Sequence, residues 1–315
     1  MSMARASAPG QSSTEVGLHV TTRHRSFGSK LHDYGGSLLF LAPFLLFWLA
    51  FVFYPLAYSF NTSLHRWNSL TGDAGFIGFH NYYNILLNQN SVLFTRFWSG
   101  MAHTALFVVI TVPSLVVLAL LLAILVSDSP WRNFYRPIFY IPGVLSVTVA
   151  CSIWRWNFQD PGLINTYLHL NVNWFETEPW AWLTIIITTL WWTVGLNMVI
   201  LLAGILEIPK DYHEAAMIDG ATWLQRVWSI TVPILRPVIG FVVVTQTLAS
   251  FGLFGQSQLI TLGGPGEDTT PIVLYIFNEV FKSSNYATAS AMTFLLGVVL
   301  IAIAAVQLRF LRRQA

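Results

Sequence analysis

Residues 214–237 read EAAMIDGATWLQRVWSITVPILRP, from Glu214 to Pro237, and they are ordinary soluble-looking sequence held between two strongly apolar blocks. A structured polar stretch in that position must lie just outside a membrane. Pro209 can occupy the first turn of a helix, where its missing N–H costs nothing, and Glu207, Asp211 and Glu214 put negative charge near that positive end. Asp219-Gly220 supplies a break. Thr222 with Gln225 three residues later has the spacing of a capping box, which predicts a second short helix before Pro233 and Pro237 mark the junction with the next apolar block. The expectation is two helices meeting at a corner, within a loop spanning 207–237.

Ala215, Ala216 and Ala221 are small enough for another backbone to approach closely, and Trp223, Val227 and Ile230 recur at i, i+4 and i+7 on one face. Spacing alone leaves two readings of that surface: a docking site for a partner, or an amphipathic loop lying in lipid headgroups.

The surrounding chain sets the class. Of its 315 residues, 55% are hydrophobic and 10% charged, against roughly 25% charged in a soluble domain. Six apolar blocks, near 36–60, 100–126, 137–156, 180–206, 234–256 and 286–308, are mostly long enough to cross about 30 Å of hydrocarbon. An all-α integral membrane protein with six transmembrane helices is predicted, with one membrane domain over 36–313. Residues 1–35 are polar, rich in Ser and Thr, and read as a disordered cytoplasmic tail. That tail lacks the pattern of a cleaved leader, so the first apolar block is expected to be a retained span. Pro137 and Pro142 crowd the start of the third block.

Twelve of the sixteen Lys and Arg residues fall in the N-terminal tail, the second connection, the 207–237 loop and the C-terminal end. The opposite side holds only Arg66, Arg96, Arg155 and Lys282. By the positive-inside rule the 207–237 loop and both termini face the cytoplasm. Trp154, Trp156, Trp174, Trp180 and Trp182 cluster where the third block ends and the fourth begins, as an outer aromatic belt would, while Trp131, Trp223 and Trp228 mark the inner side. The basic residues form no patch with interleaved aromatics, which argues against nucleic acid as a partner. Cys151, the single cysteine, cannot form an internal disulfide and reads as packing.

Charge is missing from the apolar blocks themselves. Residues 36–60, 100–126, 138–154, 180–206, 238–256 and 284–308 hold no Asp, Glu, Lys or Arg, whereas ion-coupled carriers usually need ionisable groups at membrane depth. No G-x-x-x-x-G-K-[ST] nucleotide loop occurs, and Gly263-Gly264-Pro265-Gly266 lacks its Lys and Ser/Thr. His213-Glu214 opens like a zinc-protease H-E-x-x-H, but Met217 takes the place of the second ligand. What remains in the blocks is neutral and polar. Thr189, Thr193 and Asn197 recur at i, i+4, i+8 on the fourth, and Gln246, Ser250 and Ser257 at i, i+4, i+11 on the fifth. Beside Trp192 and Phe251 such groups suit an uncharged, hydroxyl-rich solute, although Ser, Thr and Asn in transmembrane helices also simply bond to neighbouring helices. Thr189 and Ser257 fit that packing role, as does His103. Thr193, Asn197, Gln246 and Ser250 are the candidate solute-pathway residues. Arg155, at the outer end of the third block, fits either a contact with solute or binding protein, or a snorkel to headgroups.

Glu214-Ala215-Ala216, Gly220, Ile230 and Pro233 resemble the EAA signature of importer-type ABC permeases, with Asp219-Gly220-Ala221 and Pro237 matching the carbohydrate-uptake branch of that family. Phe76 to Leu86, FIGFHNYYNIL, resembles the F-x-G-x-x-N-Y element of sugar permeases, and Leu262 to Gly266, LGGPG, is also similar to that family. The resemblance implies a type I ABC importer permease fold, a cytoplasmic coupling helix seated in an ATPase groove, and a bacterial inner-membrane location. It also implies partners: a second homologous permease subunit, an ABC ATPase dimer, and an extracellular solute-binding protein that delivers a carbohydrate or related polyol. Glu214, Ala215, Ala216, Asp219, Gly220, Ala221, Ile230 and Pro233 would form the ATPase-coupling set. The chain would be no enzyme and would bind no cofactor, with ATP and Mg held by the ATPase subunits. The alternative is a stand-alone secondary transporter or channel for a neutral solute.

Overall fold

The structure, a computed structural model, describes residues 40–68 and 72–312. The tail expected over 1–35 lies outside the described residues, as does Arg313. The chain divides into two compact units parted between Leu56 and Ala57, inside the first helix. Helix α1 is Phe40–Ser63, and in the first unit it widens into a π-type turn at Leu49–Phe53. There Phe47 stacks on Phe51 and Trp48 on Phe53.

The second unit begins with the end of α1. Strands β1 (His65–Asn68) and β2 (Gly72–Phe76) pair antiparallel, and α2 (His80–Leu86) follows. The long α3 is Val92–Ser127, α4 is Arg132–Val144 and α5 is Val147–Phe158. After the short α6 (Leu163–Leu168) come α7 (Trp180–Leu206) and the loop helices α8 (Lys210–Ile218) and α9 (Trp223–Ile234). The bundle is completed by α10 (Arg236–Phe251), α11 (Ile272–Phe281) and α12 (Tyr286–Arg312).

Four helices, α1, α3, α7 and α12, are each long and apolar enough to cross a membrane. Counting each of two bent helix pairs, Arg132–Val144 with Val147–Leu168 and Trp223–Ile234 with Arg236–Phe251, as one span brings the total to the six expected. The third is not the single block read over 137–156: Val147–Leu168 turns 96° from Arg132–Val144. The cause is local. Leu145 is extended, with ψ 145°, and Ser146 restarts the helix by accepting a hydrogen bond from the Val149 N–H. The carbonyl of Leu145, left without a helical partner by the break, accepts from Trp192 Nε1 at 3.0 Å, as a backbone group away from water requires.

The fifth block also differs from its expected extent of 234–256. Helix α10 stops at Phe251, where Gly252 caps it by donating to Ala249 O and Ser250 O. A separate π-type turn, Ser257–Thr261, follows. Ser257 therefore does not share a helix face with Gln246 and Ser250.

The core lies between α3, α7 and α10. Leu115, Ala119 and Ala123 of α3 pack with Met198, Leu201 and Leu202 of α7 and Val242 of α10, all buried. The alanines let the helix backbones approach, which is how membrane helices gain dispersion contact without a hydrophobic driving force. Closer still is α4 against α7: a Cβ at Gly195 would fall 1.8 Å from Phe139 O. A second core joins Ile85 of α2 and Phe97 of α3 to Ile272, Ala291, Met292 and Leu296.

Candidate functional site

The loop at 207–237 is two helices and a corner. Pro209 precedes α8 as its N-cap, with Asp211 in the first turn. The helix ends in a Schellman closure, with Gly220 N–H donating to Met217 O at 3.1 Å and Ala221 N–H to Ala216 O at 2.9 Å. Gly220 takes φ +78° to make this turn, a left-handed conformation that costs any residue with a Cβ. Thr222 then opens α9 with both bonds of the capping box: its side chain accepts from Gln225 N–H, and Gln225 Oε1 accepts from Thr222 N–H at 2.7 Å. Helix α9 meets α10 at 67°, across Leu235 and just before Pro237.

Within this elbow the expected coupling residues separate into two groups. Glu214, Ala215, Asp219 and Gly220 are exposed, and Ala216 and Ala221 are half-buried beside them. Ile230 and Pro233 are half-buried next to buried Val227, Thr231 and Leu235, so they seat the elbow on the bundle. Among the large apolar groups that the elbow exposes, the sequence singles out Trp223 and Trp228 and not Ile218 or Leu224. Ile218 is 87% exposed, and Met217, Leu224 and Trp228 are exposed as well. They form no periodic stripe because these side chains come from two helices on either side of the corner. A cleft of about 270 Å³ under the elbow is lined by Asp128, Lys210, His213, Glu214 and Arg226, among others.

The second candidate site is a cavity of about 570 Å³ between α3, α5, α7, α10 and the segment that follows α10. That size falls within the range of small-molecule sites. Thr189, Trp192 and Thr193 of α7 line it, with Gln246 and Ser250 of α10, Val147 and Thr148 of α5, and Gln256, Gln258 and Leu259 beyond. No Asp, Glu, Lys, Arg or His is in this lining. Three of the four expected pathway residues, Thr193, Gln246 and Ser250, come together here. Asn197 is fully buried behind them and is not itself in the lining; its side chain touches the lining residue Gln246, whose Nε2 donates to Asn197 Oδ1 at 3.0 Å. Thr189, read from sequence as packing, is in the lining too.

The polar residues given packing roles are accounted for. Ser257 Oγ donates to Thr269 O at 2.5 Å and anchors the π-type turn. His103 Nδ1 lies 3.0 Å from Thr270 O, with its ring edge-on to Trp182. Arg155 has a further contact that the sequence did not suggest: its Nη1 donates to Leu259 O and Ile260 O, and its guanidinium lies over the Phe175 ring. An ion pair the sequence did not announce joins α3 to α11, with Arg96 Nη1 2.5 Å from Glu279 Oε1. Its partners are 183 residues apart, beyond the reach of any local pattern. In the F-x-G-x-x-N-Y element, buried Asn81 donates to Ser63 O and His65 O, tying α2 to the end of α1.

Six apolar spans, an uncharged cavity between them and an exposed elbow between the fourth and fifth spans are the architecture of a membrane permease. The family described as binding-protein-dependent transport system inner membrane component matches residues 85–314. The chain belongs to that family, whose members are permease subunits of ABC transporters. It is 34% identical to the probable ABC transporter permease protein YesP of Bacillus subtilis over 65% of this chain and 69% of that protein. It is 31% identical to the trehalose/maltose transport system permease protein MalF of Thermococcus litoralis, over 80% of this chain and 85% of that one. Its fold matches a bacterial ABC transporter involved in import of the acidic polysaccharide alginate, with a TM-score of 0.78, 20% identity, and 91% and 98% of the two chains covered.

Proposed function

We propose that this chain is one of two homologous permease subunits of an ATP-driven importer for a neutral carbohydrate or related polyol. An extracellular solute-binding protein delivers the solute, and a pair of ATPase subunits holds ATP and Mg. The elbow and both termini face the cytoplasm, in keeping with the distribution of basic residues. Closure of the ATPase pair on ATP moves the elbow, with Glu214 and the alanines in the ATPase groove and Gly220 forming the corner. The bent α9–α10 junction carries that movement to the spans, which turn from inward-facing to outward-facing. The exposed apolar side chains Met217, Ile218 and Leu224 fit the same groove, since apolar surface left exposed on a loop of this kind suits a partner surface.

The observation that carries the choice of solute is the uncharged lining of the 570 Å³ cavity. A phosphate or carboxylate in such a lining would be desolvated without a cation to meet it, at a cost far above that of a hydroxyl able to find a hydrogen-bond partner.

Reconstitution tests this reading. Proteoliposomes holding both permeases and the ATPase pair, with the binding protein outside and ATP inside, should accumulate a neutral saccharide. Glu214→Lys and Gly220→Pro should leave membrane insertion intact and abolish ATP-dependent uptake. Uptake at the normal rate in both variants would overturn the coupling role, and uptake by this chain alone, without ATPase, would establish a secondary carrier instead.

A further inference from the structure

One wall of the cavity has a fixed hydrogen-bond polarity, which follows from a chain of contacts running inward from the lining. Asn197 is fully buried on α7, and its Nδ2 donates to Thr193 O at 2.9 Å. A backbone carbonyl only accepts, so the Asn197 amide cannot turn over without losing that bond. Its Oδ1 must therefore face Gln246, and Gln246 must answer with Nε2, at 3.0 Å. The Gln246 Oε1 is then turned away from Asn197 on a side chain that lines the cavity.

Its neighbours have the same polarity. Thr189 Oγ1 spends its hydrogen on Ile185 O at 2.8 Å, and Thr193 Oγ1 spends its own on Thr189 O at 2.7 Å. Each threonine keeps only acceptor lone pairs. The Trp192 N–H is committed to Leu145 O. Across the α7–α10 face three donors, at Thr189, Thr193 and Trp192, are consumed by backbone carbonyls, and the donors that remain are the second hydrogen of Gln246 Nε2 and the Ser250 hydroxyl.

We propose that Asn197 is a positioning residue for solute selection: it holds Gln246 with its carbonyl toward the solute, so that this wall recognises a solute by the hydroxyl hydrogens it donates. The inference rests on the reading of the cavity as the solute path. A sugar hydroxyl can donate to this wall. An ether oxygen, a methylated hydroxyl or a carboxylate can only accept, and meets lone pairs at Gln246 Oε1, Thr189 and Thr193. At Gln246 Oε1 and the two threonines the wall thus disfavours blocked or anionic groups by polarity as well as by the absence of a cation.

The test uses the whole transporter, with both permeases and the ATPase pair, and has two arms. The first needs no solute. Gln246→Glu at pH 8 sets carboxylate against carbonyl oxygen at Asn197, and the melting midpoint of the complex should fall by about 4 °C. In an Asn197→Leu background the same substitution should cost less than half as much, because the opposing acceptor is gone. Asn197→Ala serves if Asn197→Leu does not assemble. An equal fall in both backgrounds would trace the cost to burying a charge and would overturn the proposal, as would no fall in either. The second arm compares uptake of maltose, trehalose, sucrose and lactose with uptake of their O-methylated derivatives. Wild type should prefer the free hydroxyls by about tenfold, and Asn197→Leu should narrow that ratio because Gln246 is released to turn its N–H inward. An unchanged ratio would overturn the proposal. If wild type takes up none of these neutral saccharides, the functional reading above fails, and the thermal comparison still decides the role of Asn197.

Discussion

Arg155 Nη1 lies 2.6 Å from Leu259 O and 3.2 Å from Ile260 O, joining the end of α5 to the turn that forms part of the cavity wall. The guanidinium has no carboxylate partner among the described residues. Its donors go to carbonyls of the π-type turn at Ser257–Thr261, where two chain segments lie side by side. Deeper along the same seam, Gly255 packs so near Val147 that a Cβ there would come within 2.8 Å of Val147 Cγ2. The bent third span and the interrupted fifth are thus fastened to each other at both ends of their contact.

Arg155→Met should therefore loosen the turn and leave the bundle standing. Arg155 is largely exposed, so solvent screening reduces the bond to about 1 kcal/mol. Amide exchange over 257–261 should quicken about fivefold, with exchange in the α3 core unchanged. Arg155→Lys should recover part of the protection, because an ammonium can still donate to one carbonyl.

The Arg96–Glu279 pair predicts a different pattern. Glu279 is 3% exposed and Arg96 36% exposed, so removing the arginine leaves a carboxylate buried without its cation. Arg96→Met should destabilise the complex by about 2–3 kcal/mol, less than a fully buried pair because Arg96 is partly solvated. The double variant Arg96→Met/Glu279→Leu should recover most of that loss, since the desolvation cost disappears along with the attraction. Thermal melts of the wild type, the two single variants and the double variant would show it as non-additivity.

Close helix approach supplies a third prediction. Gly195→Ala would place a methyl group 1.8 Å from the Phe139 carbonyl oxygen, on backbone that cannot rotate away. The α4–α7 contact must open, which also pulls Trp192 from the Leu145 carbonyl it satisfies. Overpacking of this kind costs about 1–3 kcal/mol. The assembled complex should melt several degrees lower, and the indole emission of Trp192 should shift in a variant that reports it.

These contacts show which features could be read from the chain alone. The elbow was legible because its signals are local: Thr222 and Gln225 are three residues apart, and Gly220 stands where its helix must stop. The fourth span was legible for a similar reason, its uniform apolar run coinciding with α7. The break at Leu145–Ser146 was not, because Pro137 and Pro142 announce disturbance without saying where the chain turns, and Ser146 becomes a cap only once the helix has stopped. Gln246 and Thr193 were found by their periodicity on separate helices, yet the bond that makes Asn197 a support for Gln246 spans 49 residues. The Arg96–Glu279 pair had no local trace at all.

The elbow allows stability and coupling to be separated. Gly220→Ala forces a Cβ into φ +78°, at a cost of about 1 kcal/mol, but no atom lies within 4 Å of the added methyl group, so nothing clashes. Thr222→Ala removes the capping box at a similar cost. Both residues are remote from the cavity, and neither change touches the α3–α7 core. Each variant should assemble and melt within about 2 °C of wild type, while amide protection falls at 223–226 for Thr222→Ala and at 219–221 for Gly220→Ala. If the elbow transmits movement as a rigid body, ATP hydrolysis should continue in both while the solute carried per ATP declines, and the double variant should decline further. Hydrolysis and uptake falling in parallel would instead mean that the elbow only holds the ATPase in place.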